Sequence, residues 1–91
     1  MKGKVLIVDD DHDMRVVLTS LLEAEFQADE AESGAALQKA FTQEQPDVVL
    51  LDVKLPDADG LELLPQIKKR WPETEVIVRA DKMRIFAREE V

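Results

Sequence analysis

The chain has 91 residues, of which 45% are hydrophobic, with no cysteine and a formal net charge of -8. That length suits one compact domain and not two, and the hydrophobic share fits a globular protein and argues against disorder. Without cysteine there are no disulfides, thiolate metal sites or cysteine nucleophiles. The negative charge disfavours direct contact with nucleic acid or an anionic membrane, and favours cations and basic protein surfaces. The apolar run near the N-terminus is too short for a signal peptide or a membrane span, so no membrane partner is expected and the cytoplasm is the default location.

Val5-Leu6-Ile7-Val8 is continuously apolar and β-branched at three of four positions, which predicts a strand buried on both faces. Asp9-Asp10-Asp11 ends it. Met14, Val17, Leu18, Leu21 and Leu22 then recur at helical spacing and predict a helix over about 13–25, with Asp11 or Asp13 capping its first turn. A second strand is expected over 27–31. Ser33 is placed to cap a helix with Ala36, Leu37, Ala40 and Phe41 on one face, and Pro46 closes that unit. Asp47 to Asp52 reads as the clearest strand, apolar between two acidic ends. Residues 55–60, rich in proline, glycine and aspartate, form a loop. A third helix is expected over 61–70 with Leu61, Leu64 and Ile67 inward and Pro65 near its first turn, where the missing donor costs less. Trp71 is expected to pack as a lid at its end, and Thr74 to Val78 forms a fourth strand. The alternation of buried strand and amphipathic helix implies a parallel sheet with helices on both faces.

Ligands of such sheets bind beyond the carboxyl ends of the strands. Asp9 and Asp10 end the first strand and Asp52 ends the third, so neighbouring strands would bring three carboxylates into one crevice. Two unit charges about 4 Å apart repel by roughly 4 kcal/mol at an effective dielectric near 20. A cluster of this kind takes up a proton or holds a cation, and hard oxygen donors suit Mg²⁺. Asp11, Asp13 and Asp57 are read instead as caps or turn formers, and His12 as a solvated loop residue. One cap accounts for one aspartate. Two separate apolar strands that both end in carboxylates indicate a site.

Val8-Asp9-Asp10-Asp11 after a buried strand, followed by Leu50-Leu51-Asp52-Val53-Lys54-Leu55-Pro56 and Asp59-Gly60, resembles a bacterial response-regulator receiver domain. The resemblance spans about 4–78. It implies an incomplete flavodoxin-like, receiver-type three-layer α/β fold, with a four-stranded parallel sheet of order 2-1-3-4. It also implies Asp52 as phosphoacceptor, Asp10 as a direct Mg²⁺ ligand, Asp9 as an acidic partner acting through water, and the Lys54 backbone carbonyl as a further ligand. The phosphodonor would be a sensor histidine kinase.

The resemblance breaks after the fourth strand. The position where receivers carry a threonine or serine is Ala80, preceded by Arg79, and Lys82 is the only later lysine. Residues 1–78 are therefore expected to form the receiver-like domain. Residues 79–91 are expected as a divergent segment whose helix, over 81–90, replaces the last elements. An uncovered fourth strand would favour a homodimer or higher oligomer through that edge and helix, with Arg79 among the residues setting register in interchain salt bridges. Two rivals remain: a non-switching receiver remnant serving as a dimerisation or interaction module, and a phosphatase-type hydrolase. The latter would need an aspartate two residues after Asp52, where Lys54 stands.

Overall fold

In the computed structural model, which describes residues 3–81 and 85–88, the apolar runs become the inner strands of one sheet. The elements in chain order are β1 (Gly3–Val8), α1 (His12–Leu22), β2 (Phe26–Ala31), α2 (Gly34–Gln43), β3 (Val48–Asp52), α3 (Gly60–Arg70), β4 (Glu75–Asp81) and β5 (Ile85–Arg88). The sheet runs β2-β1-β3-β4-β5. The first four strands are parallel in the expected order 2-1-3-4, and β5 is antiparallel to β4.

Local chemistry sets the helix starts. The Asp11 carboxylate accepts the Asp13 and Met14 N–H groups at 3.0 and 3.3 Å, the Ser33 hydroxyl accepts that of Ala36 at 3.1 Å, and Asp59 accepts that of Leu61 at 2.8 Å. Each fills an N–H that the first turn leaves without a helical partner. Alternate strand residues then build the core. Leu6, Val8, Val49, Leu51, Val76 and Val78 pack with Leu37 and Phe41 of α2 and with Leu63, Leu64 and Ile67 of α3. Trp71 does cover this layer, stacking on Phe41 with ring centroids 4.0 Å apart.

Three expectations need correction, and one helix is thinner in its packing than the others. Leu61 points outward, 55% exposed, while Leu63 takes its place in the core. Pro65 is the sixth residue of α3, where its missing N–H leaves the Leu61 carbonyl without the usual i+4 donor. None of the α1 residues is fully buried, because that helix lies over β1 and β2 and leaves the β3–β4 side of its layer open. The largest correction concerns the C-terminal segment. Ile85–Arg88 is a strand, not part of a helix, and it pairs with β4. An exposed strand edge offers a row of backbone donors and acceptors, and the β-forming Ile85 and Phe86 satisfy it. The fourth strand is therefore not the sheet edge through which the chain was expected to dimerise. Lys82 lies outside the described residues.

Candidate functional site

Parallel register places the site. β1 and β3 are direct neighbours, paired up to Val8 with Leu51, so the next residues, Asp9 and Asp52, leave the sheet side by side. Carboxylate oxygens of Asp9, Asp10 and Asp52 lie within 4.8 Å of one another. Asp9 and Asp52 are buried and Asp10 is exposed. The strand ends thus bring together all three aspartates singled out in the sequence.

Each wall of this crevice is fixed by the chain. The Asp9 N–H donates to the Ala31 carbonyl at 3.0 Å, which ties the end of β1 to the end of β2. Asp9 Oδ1 accepts the Asp11 N–H at 2.9 Å, turning the backbone toward α1. Arg15 of α1 donates through Nη1 to the Asp9 carbonyl at 2.7 Å and through Nε to Glu30 Oε1 at 3.0 Å. Asp52 Oδ1 accepts the Lys54 N–H at 3.2 Å, which orients that carboxylate. Gly60 closes the floor, where its N–H donates to the Val53 carbonyl at 2.6 Å. An added Cβ there would collide with the Asp52 carbonyl oxygen and come within 2.8 Å of Val53 Cα. Glycine is required by this close approach.

Two further groups escaped the sequence reading. Asp57, taken as a turn former, accepts the N–H groups of Gly34 and Ala35 at 2.7 and 3.0 Å, clamping the loop after β3 onto the start of α2. These two donors, Gly34 before Ala35, hold its carboxyl below the ordinary aspartate value. Arg79 was expected in salt bridges between chains. Instead its Nη2 donates to Asp9 Oδ2 inside the crevice, with side chains only 3% and 1% exposed. Its signal was present in the pattern: β4, like β1 and β3, is an apolar run that ends in a charge, but of opposite sign. Ala80 is the extra residue of a β-bulge, since Arg79 pairs with Phe86 and Asp81 with Ile85.

The donor set fits a hard divalent cation. Magnesium binds oxygen at about 2.1 Å, so opposite ligands of one ion are about 4.2 Å apart. The three carboxylates approach that separation. His12 is exposed as expected, but it is the first residue of α1 and not part of a loop.

Comparison with known proteins agrees with this geometry. A family model described as the response regulator receiver domain matches residues 5–91. The chain belongs to the response-regulator receiver family. It is 44% identical over 78 residues to the DNA-binding transcriptional regulator NtrC of Proteus hauseri, covering 85% of this chain and 16% of that protein. It is 41% identical over 79 residues to sporulation initiation phosphotransferase F of Bacillus subtilis, covering 86% of this chain and 64% of that protein. Among solved structures, response regulator DrrB of Thermotoga maritima superposes with a TM-score of 0.81 at 32% identity, covering 89% of this chain and 38% of that one. The BeF3-activated DrrB receiver domain gives 0.80 at 32% identity, with 89% and 70% covered. The chain thus spans less than two thirds of the length of these two curated relatives. No helix among the described residues is long and apolar enough to cross a membrane.

Proposed function

We propose that this receiver accepts a phosphoryl group on Asp52 from the phosphohistidine of a sensor histidine kinase, in an Mg²⁺-dependent step of a two-component phosphorelay. The observation that carries this reading is the convergence of three carboxylates at the ends of two adjacent parallel strands. Asp10, Asp52 and the Lys54 backbone carbonyl would hold the ion directly, and Asp9 through water. A bound Mg²⁺ supplies charge neutralisation for the transferring oxygens. Asp52, its Oδ1 fixed by the Lys54 N–H, offers a carboxylate oxygen to phosphorus. The new O–P bond forms as the P–N bond to the kinase histidine breaks. The electron pair stays on the imidazole nitrogen, which then takes up a proton. The chain acts here as a signalling module that is modified and does not turn over substrate.

Switching is expected to be impaired, because Ala80 brings no hydroxyl to the bulge beside the phosphoacceptor. Loss of one donor to a developing anion costs about 3–4 kcal/mol in other systems. The non-switching remnant is the second reading, favoured by that same residue. A homodimer is expected to use the open face, where Leu21 is 71% exposed and Val17 52%, since β4 is covered by β5; light scattering across a dilution series measures it.

Phosphorylation is tested with acetyl phosphate and Mg²⁺, followed by intact mass and by amide chemical shifts. The expected result is slow, partial addition of one phosphoryl group that Asp52→Asn abolishes, with shifts confined to the crevice. Modification that persists in Asp52→Asn overturns the assignment. Fast stoichiometric modification with long-range shifts overturns the impaired switch.

A further inference from the structure

Arg79 begins on β4, directly beside the phosphoacceptor. Its Cα is the register partner of Asp52, and its carbonyl accepts the Val53 N–H at 3.2 Å. Its guanidinium nevertheless ends on Asp9, which belongs to β1. Because β3 separates these strands and neighbouring strands lie about 4.8 Å apart, the side chain must cross the end of β3. Side chains of residues paired in a parallel sheet share a face, so the path runs on the Asp52 side. A guanidinium only 3% exposed is tolerated in such a place only where carboxylates compensate its charge. The crevice therefore selects a positive charge, and the chain itself already supplies one.

We propose that Arg79 is a resident counter-ion of the crevice that competes with the divalent cation. Arg79 holds Asp9 and neutralises part of the cluster. An incoming ion meets three carboxylates already offset by the positive charge of Arg79, at an Asp9 whose Oδ1 and Oδ2 both accept protein donors. A bound cation would compete with the guanidinium for Asp9, so the crevice would alternate between an arginine-closed and a metal-loaded state. Two consequences follow. The receiver keeps an intact site without metal, and its metal affinity is set below what three carboxylates alone would give. The inference rests on the crevice binding a divalent cation.

The experiment titrates Mg²⁺ by calorimetry at fixed ionic strength into the full chain and its Arg79→Met, Arg79→Lys and Asp10→Ala/Asp52→Ala variants, with thermal unfolding in parallel. Removing one unit charge from within a few ångström of the ion is expected to tighten binding on the order of tenfold in Arg79→Met, while Arg79→Lys stays near the wild type. The metal-free Arg79→Met protein melts lower, and Mg²⁺ raises its Tm more than that of the wild type. Equal or weaker Mg²⁺ binding by Arg79→Met overturns the proposal. Binding that persists in the double aspartate variant instead overturns the cation site itself. Should Arg79→Met fail to fold, the guanidinium Nε–H resonance of Arg79 in the wild type decides. It is expected to shift and lose protection from exchange in step with Mg²⁺ saturation, and a resonance unchanged at saturation overturns the proposal.

Discussion

On the face built from Leu6, Val8, Val49, Leu51, Val76 and Val78, the strands are sealed beneath α2 and α3. The opposite face, with Val5, Ile7, Leu50 and Ile77, has α1 as its only helix among the described residues. There Leu18, Leu21 and Leu22 border an apolar cleft that reaches Leu50 and Ile77. Alternation along the strands assigns Asp9, Asp52 and Arg79 to this thinner side. The cohesion of the domain thus resides mainly in one layer, and its chemistry sits at the rim of the other. On that rim an ion pair buries what apolar side chains would otherwise cover. Such a pair depends on both partners: losing one strands a charge.

Substitutions on the two faces test this contrast. The largest effect is expected from Leu37→Ala on the closed face, where a fully buried side chain leaves a cavity costing about 2–5 kcal/mol by urea unfolding. A loss below about 1 kcal/mol would show that the α2–α3 layer does not dominate stability. Gly60→Ala comes next, at about 1–3 kcal/mol for forced overpacking, because its Cβ meets the backbone of Asp52 and Val53. That variant should also weaken Mg²⁺ binding, as the carboxylate it displaces is part of the site. Unaltered stability and metal binding would mean that the floor can relax.

Asp57→Asn should have a smaller, pH-dependent effect. The wild-type carboxyl titrates below its usual value in the fold, so its contribution is fully present above the unfolded pKa of about 3.9. It is lost as pH falls through the lower folded value. The Tm gap between wild type and variant should therefore be widest near neutrality and close progressively below about pH 4. A gap independent of pH would assign the effect to packing instead of charge. The smallest effect is expected from Leu21→Gln on the open face, within about 0.5 kcal/mol as for other exposed sites. A loss comparable to Leu37→Ala would show that the open face is covered in solution.

Much of this was legible in the residues alone. Apolar runs of three or four residues between charges specify buried strands, and helical spacing specifies the stripes packed on them. Ser33, and Asp11 as one of two candidates, were identifiable as caps because a cap bonds within three residues of itself. The metal candidates could be read for the same reason of position: a carboxylate ending a buried strand must emerge at the ligand edge of a parallel sheet.

The remainder depends on partners distant in sequence. Residues 81–90 read locally as a charged helix, yet the unfilled edge of β4 made a strand of Ile85–Arg88, since ladder bonds outweigh propensity differences well below 1 kcal/mol per residue. Asp57 finds its donors 22 and 23 residues away and Arg79 its carboxylate 70 residues away. The residues alone specified the first four strands, the caps Asp11 and Ser33, and which carboxylates would meet, because periodicity and strand ends are local properties. Only tertiary structure decided which charge would answer them. A guanidinium at the end of β4 can reach Asp9 only after β3 has been laid between their strands, and the cost of burying charge then forces the two to pair.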